Sequence, residues 1–154
     1  MRIFCLTLVS FALFACQSPA VAGRQSAPTL VPAPGDVADV AQFVATELAK
    51  PAADKQLLVY VGAKWCEPCR HFHAAVEAGE VERSIPGARF VEFDFDASKA
   101  ALERAGYSSK LLPLFAFPNP DGTASARRIE GSVKGPESVA SNLVPRLRAL
   151  LDAR

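Results

Sequence analysis

The chain has 154 residues, half of them hydrophobic, and its 17 Lys plus Arg nearly balance its 16 Asp plus Glu, for a formal net charge of +1. With no basic block standing out, nothing in it suits a phosphate backbone, so nucleic acid is not an expected partner. No internal repeat is visible, and the part after residue 35 is long enough to bury one core.

The first residues read as an export signal. Arg2 supplies the charge, Ile3 to Leu13 an apolar stretch too short to span a bilayer, and small residues follow. Two processing sites compete. Leu13-Phe14-Ala15-Cys16 resembles a bacterial lipoprotein box, in which Cys16 becomes the lipidated N-terminus, while Ala20-Val21-Ala22 before Gly23 has the small-x-small pattern of ordinary cleavage. The lipid anchor is preferred, because a cysteine closing an apolar run is otherwise an unneeded reactive thiol. The expected organisation is an export signal over 1–16 (or cleavage near 22), a Pro/Ala-rich linker over 17–35, and one domain over 36–154. Either processing discards or caps Cys5 and Cys16, leaving Cys66 and Cys69 as the free partners. The expected location is the periplasm or cell envelope, lipid-anchored to a membrane or otherwise secreted.

Within the domain, Asp36 is a candidate cap for a helix that puts Val37, Val40, Val44 and Leu48 on one face and stops at Pro51. Leu57 to Val61 reads as a buried strand. Trp65-Cys66-Glu67-Pro68-Cys69 follows it directly, and the spacing of Phe72 and Val76 starts a helix at the motif, with Pro68 in the first turn where its missing N–H costs nothing. The strict alternation of Arg89 to Asp96 signals a second strand. A short helix through Ala100 to Glu103 ends near Gly106. Pro113 opens a strand, Leu114 to Phe117, which the turn Asn119-Pro120-Asp121-Gly122 reverses so that Arg127 to Glu130 pairs back. A last helix starts at Pro136, carries Val139, Leu143, Leu147 and Leu150, and is kinked by Pro145.

Two thiols three residues apart between a strand and a helix point to redox chemistry. Cys66 lies at the positive end of the helix dipole, where free N–H groups favour a thiolate, so it is the expected attacking sulfur. Other uses of the spacing fit less well. Zinc needs two further ligands, and outside the motif only Cys5, Cys16, His71 and His73 are at hand; haem attachment needs His directly after the second Cys, where Arg70 stands; Cu(I) sites recruit thioethers, and the one Met is Met1. No metal and no cofactor are therefore expected. His71 and His73, two residues apart, do not share a helix face and read as surface residues, with His73 facing away from the thiols.

On Trp65-Cys66-x-x-Cys69 after a buried strand, Pro113 before a hairpin with its Asp121-Gly122 turn, and the terminal helix after Gly131, the chain resembles thioredoxin-fold proteins over most of residues 36–154. It is most similar to the periplasmic thioredoxin-like domain of the bacterial transmembrane thiol electron conductor, which shares the Cys-x-x-Cys-Arg/Lys-x-Phe pattern. The resemblance implies an α/β fold, a central mixed sheet with helices on both faces and a C-terminal β-hairpin plus helix. It implies further that Cys66 and Cys69 form the redox disulfide and are both catalytic, Cys69 resolving the mixed disulfide made by Cys66. Pro113 becomes a cis-proline facing the sulfurs, the backbone of Leu112 pairs with an extended substrate, and Trp65 belongs to the substrate-binding surface. Aligned without gaps, Tyr60 replaces the buried acid of thioredoxin and Glu92 replaces the lysine on the neighbouring strand. Glu92 is thus a candidate proton acceptor for Cys69, or else belongs with Asp94 and Asp96 to a solvated edge.

The reading that follows is an exported thiol-disulfide oxidoreductase that reduces protein disulfides. The charge of Glu67 beside Cys66 favours reduction, while Lys64 and Arg70 oppose it. The expected partners are a disulfide-containing client protein, a membrane thiol electron donor, and a membrane reached through lipid on Cys16. The alternatives are a non-catalytic metal- or client-binding module and a cytochrome-maturation thiol reductase.

Overall fold

In the computed structural model, which describes residues 26–51 and 55–153, five strands and four helices form one α/β unit. The strands are β1 (Thr29–Pro32), β2 (Gln56–Gly62), β3 (Ala88–Asp94), β4 (Leu114–Pro118) and β5 (Ala124–Glu130). The helices are α1 (Val40–Ala49), α2 (Glu67–Glu77), α3 (Phe95–Arg104) and α4 (Val144–Asp152), the last preceded by a π-helical turn, Val139–Leu143. The sheet order is β1-β3-β2-β4-β5, with β1, β3 and β2 parallel and β4 and β5 antiparallel to their neighbours.

The central strands are apolar on both sides because both faces of the sheet are covered. On one face Leu58, Tyr60, Phe90 and Phe115 pack under Phe72 of α2 and under Leu143 and Leu147 of the terminal segment. Phe72 lies at the middle of this aromatic group, with ring centroids 4.8 Å from Phe115, 5.2 Å from Tyr60 and 5.3 Å from Phe90. On the other face Val59, Val61, Val91 and Phe93 meet Val40 and Val44 of α1 and Ala101 and Leu102 of α3. The mixed sheet, its two helical layers and the closing hairpin with its helix agree with the expected fold class.

Four expectations require correction. The export signal, Cys5, Cys16, both processing sites and residues 17–25 of the expected linker lie outside the described residues, but the described part of that linker, 26–35, contains a strand. Thr29–Pro32 is an edge strand in register with Arg89 to Glu92 of β3, and the Ala33 amide continues the pairing to the Glu92 carbonyl at 2.8 Å. An edge strand is held by main-chain bonds, which a Pro/Ala-rich composition does not reveal, and Pro32 is tolerated at its end.

The first helix is capped by Asp39 instead of Asp36: the Asp39 carboxylate accepts the Gln42 amide at 2.9 Å. Starting there, the helix buries Val40, Val44 and Glu47 and leaves Leu48 exposed. Glu47 is compensated by ion pairs with Arg89 and Lys50.

β3 ends at Asp94, two residues early, because the Asp94 carboxylate accepts the amides of Asp96 and Ala97 at 3.0 Å and starts α3. An N-cap overrides the alternation that had carried the strand to Asp96. Near the C-terminus the expected kink is a change of helix type. The Val144 amide reaches the Val139 carbonyl five residues back, and Pro145, with no N–H to give, sits in the first turn of α4.

Candidate functional site

β2 delivers the chain to the motif as a fully buried strand from Leu57 onward, and the helix begins at once. Cys66 is the N-cap of α2: its sulfur accepts the Cys69 amide at 3.3 Å, and the two sulfurs are joined in a disulfide. Both cysteines are buried, with Cys69 on the helix as expected. The peptide bond from Leu112 to the buried Pro113 is cis, at the entry to β4, and the Pro113 carbonyl accepts the Gly131 amide at 2.8 Å. Leu112 packs against the same core group that contains both cysteines. A parallel β1-β3-β2 half, an antiparallel β4-β5 half and a cysteine pair at the head of the helix after β2 leave little choice of architecture. The fold is thioredoxin-like.

A thioredoxin H-type protein of Oryza sativa subsp. indica is 38% identical over 82 residues, a stretch that spans 53% of this chain and 62% of that relative. No protein-family model matches the chain. Among solved structures, Trxlp of Edwardsiella tarda is similar at a TM-score of 0.45 and 24% identity, covering 77% of this chain and 98% of that one. A chain from the complex of ferredoxin: thioredoxin reductase with thioredoxin f2 is similar at a TM-score of 0.46 and 19% identity, covering 82% and 94%.

In this thioredoxin-like domain Trp65 is exposed beside Cys66. Its indole N–H donates to the Asp96 carboxylate at 2.9 Å and its ring meets Phe95 edge-on at 6.4 Å. The early start of α3 therefore supplies the tether of the tryptophan, a link that reading Asp96 as a strand residue had missed.

Glu67, between the cysteines, is not free in solvent: its carboxylate accepts the Gly135 amide at 2.9 Å. His71, one turn on, contacts the Gly135 carbonyl at 3.0 Å, and since a carbonyl can only accept, Nδ1 carries the proton. The two side chains hold both sides of one glycine in the loop before the terminal helical segment. No local sequence signal announces this clamp.

Tyr60 stands where the resemblance places the buried acid. Its hydroxyl donates to the Cys69 carbonyl at 3.2 Å, and burial together with the charge of Glu92 pushes its phenol well above the ordinary tyrosine value. Gly62 leaves room for it, since a Cβ there would come within 2.6 Å of the hydroxyl oxygen. Glu92 is the register partner of Tyr60 on β3. β3 is an inner strand, so the solvated-edge alternative for Glu92 does not hold. Burial raises the Glu92 carboxyl above its ordinary value, helped by Glu77 and Asp94 and opposed by His73.

His73 is where the sequence expectation fails. It faces Glu92, Nε2 to Oε2 at 3.4 Å, and with Cys69, Tyr60 and Glu92 it lines a cavity of about 320 Å³. Cys69 and His73 are four apart on one helix, hence on one face, a spacing that was available in the sequence. Among the described residues no group of three or more His, Cys, Asp or Glu gathers as metal ligands would.

Proposed function

We propose that this chain is an exported thiol-disulfide oxidoreductase that reduces protein disulfides through its thioredoxin-like domain. The observation that carries the reading is the Cys66–Cys69 disulfide at the head of α2, with Cys66 as the helix N-cap. The similarity to a thioredoxin H-type protein supports the same chemistry. In the dithiol form, the Cys66 thiolate attacks a client disulfide, releases one client sulfur as a thiolate that takes a proton from water, and leaves a mixed disulfide. Cys69 then gives its proton to Glu92 and attacks the Cys66 sulfur. The Cys66–Cys69 disulfide forms, and the second client sulfur leaves reduced. Trp65, Leu112 and Pro113 receive the extended client segment. The exposed indole beside Cys66 supports this role.

The leader composition supports an exported protein, with Cys16 as a lipidation site that tethers it to a membrane of the cell envelope. The likeness of the motif to the periplasmic domain of the transmembrane thiol electron conductor supports a membrane thiol donor as the source of electrons. The test is acid trapping and alkylation of Cys66 and Cys69 in living cells, with Cys16→Ala in parallel. A reduced pair that becomes oxidised when the membrane donor is removed supports the reading. A pair that stays oxidised throughout, or titrates a metal without turning over a disulfide substrate, refutes it.

A further inference from the structure

The geometry points to His73 as the positioning and relay residue that carries the proton of the resolving thiol from Glu92 to solvent through Glu77. The inference rests on the role proposed above for Glu92 and deepens it. The imidazole lies between two carboxylates, with Nε2 3.4 Å from Glu92 and Nδ1 3.4 Å from Glu77. A neutral imidazole carries one N–H and one lone pair, so it can accept a proton on one side and release one on the other.

Exposure rises stepwise along this line. Cys69 is 2% exposed, the Glu92 side chain 22%, His73 39% and Glu77 67%. The line runs from the cavity that the buried thiol shares with Glu92 to an exposed carboxylate on the helix. The cavity shared by Cys69, Tyr60, Glu92 and His73 is large enough for bridging water, and the Ala33 amide fixes the Glu92 main chain from β1.

Among the other groups that line the cavity, Asp94 is the one further carboxylate. Tyr60 from β2 already donates its proton to the Cys69 carbonyl, and its phenol is shifted away from neutral pH. Lys64 before α2 and Arg70 within it are cations, Pro32 of β1 and Ala33 after it carry no titratable side chain, and Asp94 at the end of β3 already accepts the Asp96 and Ala97 amides through Oδ1. The proton balance is simple. Cys69 loses a proton to Glu92 as it attacks the Cys66 sulfur, Glu92 passes it to Nε2 of His73, and the Nδ1 proton leaves by Glu77 to water. Electrons move only among the sulfurs.

The experiment uses the full chain, reduced, mixed with a synthetic disulfide-linked peptide and stopped by acid at short times, so that formation and decay of the mixed disulfide are read separately. In His73→Ala and His73→Gln the decay should slow roughly tenfold, less than the roughly 10²–10⁴ of a direct acid–base group. Added imidazole should restore the decay in His73→Ala and not in Glu92→Gln. Unchanged decay in both His73 variants, or slowed decay that imidazole does not restore, overturns the relay. If Glu92→Gln decays at the parent rate, the base assignment itself falls. Slow decay in Glu92→Gln with parent-like His73 variants removes His73 alone.

Discussion

The hydroxyl of Tyr60 donates to the main-chain carbonyl of Cys69 at 3.2 Å, tying the strand that leads into the redox motif to the helix that leaves it. Tyr60→Phe keeps the ring stacked on Phe115, centroids 5.0 Å apart, and removes only this bond. The loss should lower unfolding stability by about 1 kcal/mol, as for one buried neutral hydrogen bond. Urea unfolding of the oxidised protein measures it as a lower midpoint at unchanged slope.

The two cysteines should differ in reactivity once reduced. Cys66 caps the helix and Cys69 is inside it, so limiting iodoacetamide should label Cys66 first. Cys66→Ser should abolish exchange, and Cys69→Ser should accumulate a stable mixed disulfide with a client peptide. Mass spectrometry of the quenched protein distinguishes the sulfurs, and first labelling of Cys69 would reverse their roles.

Glu67 should tune the potential although the Gly135 amide holds it. Glu67→Gln keeps an acceptor for that amide and removes the charge, so the thiolate of the reduced form gains and the potential rises. A rise of up to about 30 mV, equivalent to about 1.4 kcal/mol for a two-electron couple, is expected from glutathione equilibration. No rise at low salt would mean that the Gly135 bond already neutralises the carboxylate toward Cys66.

Glu92 should make stability depend on pH in a direction opposite to the usual carboxylate. Its carboxyl is raised in the folded protein, chiefly by burial, so between the unfolded and folded values the native state binds more protons than the unfolded chain. Stability therefore falls as pH rises through that window and stays lower above it. Glu92→Gln should unfold at higher urea than the parent at pH 7, and the difference should vanish below about pH 4, where the carboxyl is protonated in both states.

Phe72 joins α2 to the sheet through three aromatic neighbours and is fully buried. Phe72→Ala should cost about 3–5 kcal/mol by transfer and cavity terms together. Thermal unfolding followed by circular dichroism checks this, and Phe72→Leu should recover most of the loss.

The local parts of the site were legible because their causes lie within a few residues. An apolar run ending in Trp65-Cys66-Glu67-Pro68-Cys69 specifies a strand, a capped helix start and a proline where no N–H is needed. The alternation of β3 and the Asp121-Gly122 turn are equally local. The same locality misled where two local signals compete: Asp94 continues an alternating pattern and also caps a helix, and the cap prevails by accepting two amides that otherwise lack partners.

What sequence spacing could not place are the contacts that depend on register and on how α2 lies across the sheet. Glu67 meets Gly135 across 68 residues, β1 pairs with β3 through main-chain groups that every residue carries, and Glu92 faces His73 because Tyr60 and Glu92 share a register position beneath α2. The residue types at these positions fit many environments. The sheet order and the packing of the helix choose among them, since only the folded geometry brings a strand carboxylate, a helix imidazole and the resolving cysteine to one cavity.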